Sequence, residues 1–251
     1  MERTQDAASS YDCPTCGGTG YEIFSQKVDG YDCLIEFAEP CTKCKGIRRV
    51  HDMTGVPLQF RDADLSKFDF GSYFQEKKNL RKIAEDFLRN YRERWENSGK
   101  GLYLWSRTPG SGKTFLSCCI GKSVMIRCDL QMRFVTAPDY IKVVGDGYKQ
   151  QPGEYDESKV YRECDLLIFD DIGAQKKGDW QTQEIFRVVN NRMNAGKITI
   201  FTSNMRPEDL NLDNRTIGRI IRNSIVLQMP EESIRDREAK EEQKAFLSDI
   251  L

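Results

Sequence analysis

The stretch WSRTPGSGKTF, residues 105–115, decides the fold of this chain. It ends in Gly112-Lys113-Thr114, the second half of the G-x-x-x-x-G-K-[ST] pattern, in which a glycine-rich turn and a lysine bind phosphate groups. The first glycine of that pattern is due at position 107, where the chain has Arg107. A side chain there adds bulk or strain where the strand enters the loop, although Arg107 keeps its own backbone N–H as a donor. The stretch therefore predicts a phosphate-binding loop with one unusual position.

The segments on either side of this loop have the pattern that it requires. LYLW at 102–105 predicts a buried strand, and KTFLSCCIGKSVMI at 113–126 predicts a helix. Between them, the loop N–H groups and the positive end of the helix dipole point at the phosphates. We expect Lys113 to contact the β- and γ-phosphates of ATP and the Thr114 hydroxyl to bind Mg²⁺. The expected ATP-binding residues of the loop are Pro109, Gly110, Ser111, Gly112, Lys113, Thr114 and Phe115.

Short apolar segments alternate with helical patterns through the rest of the chain. The predicted strands are residues 102–105, 132–137, 166–171, 198–204 and 224–229. Near-continuous apolar strands separated by helices indicate a parallel sheet that is covered on both faces. Apolar residues spaced three and four apart also predict a helix over 76–95. The predicted fold class is α/β, a three-layer αβα domain with a five-stranded parallel sheet.

Two of the predicted strands end in polar side chains. CDLLIFDDIG, residues 164–173, ends in two carboxylates, and ITIFTSN, residues 198–204, ends in Asn204. We expect Asp170 to hold the Mg²⁺ ion and Asp171 to act as the base that polarises the attacking water. Asn204 is expected to position that water and to sense the γ-phosphate. With the loop, these side chains predict a site that binds and hydrolyses ATP.

Composition and charge limit the other classes of function. The 251 residues include 38 basic and 39 acidic residues, so any contact with nucleic acid must come from a local patch. We expect a cytoplasmic protein, because neither a secretory signal nor an apolar run of membrane-spanning length is recognisable. The single histidine, His51, argues against Ser-His and Cys-His hydrolase triads.

Two C-x₂-C motifs, CPTC at 13–16 and CTKC at 41–44, stand near the N-terminus. Cytoplasmic thiols stay reduced, so nine cysteines favour metal ligands over disulfides. Two such pairs complete a tetrahedral Zn²⁺ site, and YEIFSQKVDGYDCLIEF between them predicts a β-hairpin with an Asp29-Gly30 turn. A redox dithiol and substitution of a ligand by Cys33 or His51 stay open. The expected zinc ligands are Cys13, Cys16, Cys41 and Cys44.

The changes in composition along the chain predict its domains. Residues 51–74 mix turn residues with spaced aromatics, which is typical of a linker that packs onto the following domain. A zinc module of this size has too small a core to fold without its metal. The expected parts are a flexible tail at 1–10, a zinc-binding module at 11–50, a linker at 51–75 and an ATPase domain at 76–251.

Several motifs together resemble one known family. TPGSGKTFL, LLIFDDIGAQ, ITIFTSN, NRTIGRIIR and SIRDR are similar to the AAA+ ATPases of the bacterial replicative helicase-loader family, the DnaC/DnaI type, over roughly residues 51–240. The resemblance implies an AAA+ fold without a full C-terminal lid. It also implies ATP-dependent loading of a DnaB-type hexameric helicase onto single-stranded DNA and assembly with further copies of the chain. Residues 11–50 would then dock on the helicase.

The resemblance also assigns roles to arginines near the C-terminus. Arg219 matches the arginine finger, which reaches into the ATP site of a neighbouring subunit, and Arg215 and Arg222 are close competitors. Arg235 matches the sensor-2 arginine, which contacts the nucleotide bound by its own chain, with Arg237 as second choice. A solvated or salt-bridged helix face is the alternative for each of these residues.

A DNA-binding insertion of the family corresponds to residues 138–165. Aromatic and basic side chains there combine base stacking with phosphate contact. The later part of the segment is acidic, so a structural role stays open. The candidate contacts are Tyr140, Lys142, Tyr148 and Lys149.

Two departures from the wider AAA+ pattern leave other functions open. Asp171 stands where most AAA+ proteins have the longer Glu, and the part after Asn204 is short, both of which favour a slow switch over a motor. The first alternative is an ATPase helper of a transposase, the IstB type, which shares these motifs. The second is a nucleotide-binding adaptor without turnover, and a P-loop metabolite kinase is a more distant third.

Overall fold

The structure is a computed structural model, and it describes residues 15, 21–27, 34–40, 42, 54–72, 78–149, 156–176 and 178–248. The chain divides into two compact units, Met1–Gly55 and Val56–Leu251, and the phosphate-binding loop belongs to the second. Within the described ranges, none of the helices has both the length and the apolar character needed to cross a bilayer.

The first unit contains an antiparallel hairpin. Its strands are β1 (Tyr21–Lys27) and β2 (Leu34–Pro40), with Tyr21 paired to Pro40 at the open end. The hairpin predicted between the two C-x₂-C motifs is confirmed. Thr42, which lies inside the second motif, donates from both its N–H and its hydroxyl to Glu22 Oε1 of β1, each at 3.1 Å.

The predicted zinc ligands Cys13, Cys16, Cys41 and Cys44 lie outside the described residues, as do Cys33, His51 and the Asp29-Gly30 turn. Among the residues that the structure does describe, no group of three or more His, Cys, Asp or Glu side chains is placed to hold a metal ion. The zinc site therefore stays a prediction.

The second unit is built on a five-stranded parallel sheet, as the sequence predicts. The spatial order is β4-β5-β6-β3-β7. The three central strands are buried along their whole length, because helices cover both faces of the sheet. All five strands have their carboxyl ends at one edge, where the predicted polar residues follow. The strands are β3 (Gly101–Trp105), β4 (Met132–Thr136), β5 (Leu166–Asp170), β6 (Ile198–Ser203) and β7 (Ser224–Gln228).

Helices connect and flank these strands. The helix predicted over 76–95 is confirmed as α1, which continues after Asn90 as a wider helical turn, Tyr91–Glu96. Its buried side chains, among them Phe87 and Trp95, follow the predicted three-and-four spacing. The described helices are α1 (Lys78–Arg89), α2 (Lys113–Cys128), α3 (Ala137–Gly147), α4 (Lys159–Glu163), α5 (Asp179–Asn194), α6 (Asn214–Arg222) and α7 (Ile234–Ser248).

Residues 56–72, which precede α1, pack against α2. The Leu65 N–H donates to Ser123 Oγ at 3.0 Å, which anchors this segment on α2. The rings of Phe60 and Phe68 lie 5.7 and 5.8 Å from the ring of Phe115, in the first turn of α2. The segment predicted as a linker therefore brings side chains to the beginning of the helix that follows the phosphate-binding loop.

Candidate nucleotide-binding site

The loop between β3 and α2 has the backbone of a phosphate-binding loop. Gly110 and Gly112 have φ angles of 74° and 84°, in the left-handed region that glycine adopts without strain. A Cβ atom on Gly110 would also lie only 2.7 Å from Ser233 Oγ. Gly112 immediately precedes Lys113, the first residue of α2, so the helix N-terminus opens into the loop.

Arg107, at the position of the missing first glycine, causes no backbone strain. Among the described residues other than glycine, only Asp129 and Asp171 have a positive φ. The Arg107 N–H, expected to remain available to phosphate, donates to Glu231 Oε1 at 3.2 Å in this structure. A carboxylate of the chain itself therefore holds the loop at this position.

Glu231, which follows β7, binds the first half of the loop. Its Oε2 accepts from the Thr108 N–H, the Thr108 hydroxyl and the Ser106 hydroxyl, at 3.0, 2.9 and 3.0 Å. Partial burial alone would raise the pKa of Glu231. The hydrogen bonds from Arg107, Thr108, Gln228 and Ser106 outweigh it and lower this pKa to about 2, so the carboxylate is charged at neutral pH. Sequence analysis missed Glu231, since no motif contains it.

Lys113 is folded back onto the loop. Its Nζ donates to the carbonyl oxygens of Ser106 and Thr108 at 3.3 and 3.1 Å and to Ser111 Oγ at 3.2 Å. Burial lowers the pKa of Lys113, and the nearby carboxylates, with Asp171 first, oppose that effect. The ammonium group is thus surrounded by oxygen atoms, which phosphate oxygens can replace.

Asp170 and Thr114, the two predicted Mg²⁺ ligands, are in contact. Asp170 Oδ1 accepts from the Thr114 hydroxyl at 2.9 Å and from the Thr202 hydroxyl at 2.5 Å. Burial is the main cause that raises the pKa of Asp170 to about 6. Thr202, which is fully buried in β6, was not recognised from the sequence, although it lies within the quoted ITIFTSN strand.

Asp171 and Asn204 follow the ends of neighbouring strands and reach the same pocket. Asp171 has a φ of 52°, in the left-handed region that aspartate adopts more readily than most residues other than glycine. Its N–H donates to Thr202 Oγ1 at 3.0 Å, so the residue that fixes Asp170 also fixes the backbone of Asp171. The structure therefore brings together the carboxylates and the amide assigned to catalysis.

The pocket in front of the loop has a volume of about 770 Å³. The predicted sensor-2 residue Arg235 lines it, at the beginning of α7. Three lining residues were not predicted: Gln59 and Phe60 belong to a segment without a nucleotide-binding motif, and Ile234 lies in the SIRDR motif beside the predicted Arg235. The full lining is Gln59, Phe60, Pro109–Phe115, Asp171, Asn204, Ile234 and Arg235.

The candidate finger arginines lie on α6, and none of them lines this pocket in the described part of the chain. Arg219 is held by its own chain, since Nε donates to Asn190 Oδ1 at 2.9 Å and the guanidinium lies 4.8 Å from the Phe186 ring. Arg215 lies 5.3 Å from the same ring. Arg222 is exposed.

The four predicted DNA contacts have different environments. Tyr140 is fully buried, with its ring edge-to-face against Phe169 at 5.5 Å, so the prediction that it stacks on a base is wrong. Lys142 and Lys149 are exposed. Tyr148 is 61% exposed and lies edge-to-face with Trp180, 6.1 Å away. The apolar face of α3 turns Tyr140 into the core and leaves Tyr148 at the surface.

The fold and the site define the class of protein. This chain is a P-loop nucleotide-binding protein, because its parallel sheet carries a phosphate-binding loop after β3 and a pocket in front of that loop. The aspartate at the end of β5, Asp170, is hydrogen-bonded to the threonine of the loop, Thr114. The chain belongs to the family of IstB-like ATP binding proteins, whose family model matches residues 39–242. The site residues fit ATP with Mg²⁺, because loop N–H groups, a lysine and paired hydroxyl and carboxylate oxygens surround one pocket.

Two curated relatives of this chain are named as DNA replication proteins. The replicative helicase loader DnaI of Bacillus subtilis is 30% identical over 126 residues, which are 50% of this chain and 39% of DnaI. The chromosomal replication initiator protein DnaA of Mycoplasma pneumoniae is 28% identical over 123 residues, 47% of this chain and 28% of DnaA. The chain thus matches well under half of the length of either relative.

Solved structures share the fold. A crystal structure of the DnaC helicase loader superimposes with a TM-score of 0.60 at 20% identity, over 69% of this chain and 100% of that one. A crystal structure of DnaI gives 0.59 at 22% identity, over 74% and 100%. At these identities the likeness establishes the fold alone, a three-layer α/β P-loop domain with a five-stranded parallel sheet.

Proposed function

We propose that this chain is an ATP-hydrolysing switch that loads a DnaB-type hexameric replicative helicase onto single-stranded DNA. The observation that carries the proposal is the pocket that Lys113, Asp171, Asn204 and Arg235 line together, beside the Thr114–Asp170 pair. The choice of helicase loading is supported by the Bacillus subtilis relative, a replicative helicase loader. The fold shared with the DnaC helicase loader agrees with it.

ATP binding draws on groups that the loop already presents. Lys113 exchanges its loop oxygen partners for the β- and γ-phosphates, and the N–H groups at the beginning of α2 donate to the same phosphates. The Thr114 hydroxyl and the Asp170 carboxylate would hold Mg²⁺, which neutralises phosphate charge when bound. Arg235, whose N–H donates to the Gly110 carbonyl, adds a positive charge to the pocket.

Hydrolysis is assigned to Asp171 and Asn204. Asp171 accepts a proton from a water molecule whose oxygen bonds to the γ-phosphorus, while the bond from that phosphorus to the β–γ bridging oxygen breaks. The Asn204 amide orients the water. Because aspartate is one methylene shorter than glutamate, we expect slow turnover, which suits a switch. An exposed α6 arginine of a neighbouring copy in a homo-oligomer would stabilise charge on the γ-phosphate.

The N-terminal unit is the proposed helicase-docking module, and a bound Zn²⁺ ion would stabilise its fold. Tyr21, the first residue of β1, comes after the first C-x₂-C motif, and Pro40, the last residue of β2, comes directly before the second. The register pairs these two residues with each other. The bonds from Thr42 to Glu22 hold part of the second motif against β1. Both features support one Cys₄ site at the open end of the hairpin.

Single-stranded DNA is assigned to the surface around the end of α3. Tyr148 and Trp180 are exposed aromatic rings that offer faces for base stacking. Lys142 and Lys149 are exposed and supply positive charge for phosphates. Trp180, on α5, extends the predicted contact set and replaces the buried Tyr140.

A second candidate function is help to a transposase, and the match to the IstB-like family favours it. The test combines the full-length chain with a hexameric replicative helicase and, separately, with a transposase. We expect co-elution with the helicase and ATP-dependent transfer of the helicase to circular single-stranded DNA. Co-elution with the transposase alone would reject loading. If no phosphate were released from ATP with DNA and the partner present, the chain would be a nucleotide-binding adaptor without ATPase activity.

A further inference from the structure

The entrance of the phosphate-binding loop is held from two sides. Glu231 accepts from the N–H groups of Arg107 and Thr108 at 3.2 and 3.0 Å. Lys113 donates to the carbonyl oxygens of Ser106 and Thr108 at 3.3 and 3.1 Å. A carboxylate and an ammonium group are therefore connected through the peptide groups between them, and each orients those groups for the other.

Nucleotide binding disturbs one side of this arrangement. Lys113 has three N–H donors, and they point to Ser106, Thr108 and Ser111. To reach phosphate oxygens the lysine must give up bonds to the loop carbonyls. The entrance then depends on Glu231, at a position where Arg107 replaces the usual glycine.

The segment that carries Glu231 is also attached to the middle of the loop. The N–H groups of Ile234 and Arg235 donate to the Gly110 carbonyl at 3.0 and 3.3 Å. Residues 231–235 therefore follow the loop from its entrance to Gly110 and deliver the Arg235 side chain into the pocket.

We propose that Glu231 is a positioning residue for nucleotide binding: its carboxylate keeps the loop entrance in place when Lys113 turns to the phosphates. The inference rests on ATP binding at this site and adds to it a residue outside every recognised motif. Both carboxylate oxygens are needed, because Oε1 accepts from Arg107 while Oε2 accepts from Thr108 and Ser106. An amide has one acceptor oxygen and turns an NH₂ group toward those donors.

The test compares two substitutions of Glu231 by calorimetric titration of the full-length chain with Mg²⁺-ATP. Glu231→Gln keeps the size of the side chain and loses the second acceptor, so we expect the Kd to rise about tenfold. Glu231→Asp changes the size but keeps both oxygens, so we expect a Kd within about threefold of the wild type. A role in packing alone predicts the reverse order. Glu242→Gln, on the exposed surface of α7, is the matched control and should leave the Kd unchanged.

A double-mutant cycle makes the test independent of general destabilisation. Thr108→Val removes the hydroxyl that donates to Glu231. Introduced into the wild-type chain it should raise the Kd about threefold, and introduced into Glu231→Gln it should raise the Kd no further. Additive effects, or a Glu231→Gln Kd equal to that of the wild type, would overturn the role of Glu231 and leave ATP binding standing. If the wild type itself does not bind ATP, the proposed function fails as well.

Discussion

The Thr114 hydroxyl donates to the Asp170 carboxylate at 2.9 Å, although the two residues are 56 positions apart in the chain. The contact joins the beginning of α2 to the end of β5. Thr202, on the strand between β5 and β3, donates to the same oxygen at 2.5 Å and stops the carboxylate from turning away. The two oxygen ligands proposed for Mg²⁺ therefore stand together before the ion arrives.

The raised pKa of Asp170, about 6, predicts a pH dependence of Mg²⁺-ATP binding. The ionised carboxylate is the form that binds the cation, so affinity should be constant above about pH 7 and fall up to about tenfold per unit below pH 6. Fluorescence titration with a labelled ATP between pH 5 and pH 8 measures this. Asp170→Asn should weaken binding and flatten the profile, and an unchanged profile in that variant would rule out Asp170 as its source.

The same shift has a consequence for stability. A carboxyl whose pKa is raised by folding keeps its proton in the folded state when the unfolded chain has lost it. The contribution of Asp170 to the free energy of unfolding is fully present below its ordinary pKa of 3.8 and is lost as the pH rises through about 6. The free energy of unfolding without Mg²⁺ should therefore fall more over this window in the wild type than in Asp170→Asn.

Arg222 is the arginine that we expect to act in a neighbouring site. Its side chain is exposed, whereas Arg219 is bound to Asn190 and lies against Phe186. Arg222→Ala should keep the ATP affinity and the melting temperature and lower hydrolysis in the assembled state by about 10³-fold. Arg219→Ala should instead lower the stability by about 1 kcal/mol, through the lost hydrogen bond and cation–π contact. If Arg219→Ala alone lost hydrolysis in the assembled state, Arg219 would be the arginine finger, as the family resemblance implies.

Tyr148 and Trp180 should contribute together to single-stranded DNA binding. Each alanine substitution removes an exposed ring and should weaken binding of an oligothymidine by about fivefold to a hundredfold in a fluorescence anisotropy titration. Tyr140→Phe is the control, because it removes only the hydroxyl of a buried ring and should leave the affinity unchanged. Equal affinities in all three variants would place the DNA contact elsewhere.

Zinc should bind the N-terminal unit with a stoichiometry of about one ion per chain. Cys13→Ser or Cys41→Ser should remove most of the metal, measured by atomic emission on the purified chain. Cys128→Ser, in the last turn of α2, is the matched control, because it removes a thiol from the ATP-binding unit. Equal zinc contents in all variants would contradict the Cys₄ assignment.

Local patterns allowed the sheet, the loop and the strand-end carboxylates to be predicted. Alternating apolar strands and helices fix the parallel sheet, and parallel strands place residues that follow β5 and β6, such as Asp171 and Asn204, at the edge where the loop opens. That reasoning needs only sequence spacing and the geometry of strands.

Contacts between distant segments escaped prediction. Glu231 meets Arg107 only because β7 pairs with β3, and no motif marks the short segment that follows β7. The prediction for Tyr140 was wrong because composition does not reveal which face of a helix packs on the core. An aromatic residue on the packed face is buried, as Tyr140 is. Gln59 and Phe60 reach the pocket through the packing of residues 56–72 on α2, a tertiary arrangement without a sequence signature.

The affinity of Lys113→Ala for Mg²⁺-ATP tests the central claim most directly. Lys113 is the buried ammonium group of the pocket, so calorimetry should detect binding in the wild type and a loss of at least about a hundredfold in the variant. Lys82→Ala removes an equal charge from the exposed face of α1 and should bind as the wild type does. An ATP affinity of Lys113→Ala equal to that of the wild type would contradict the account.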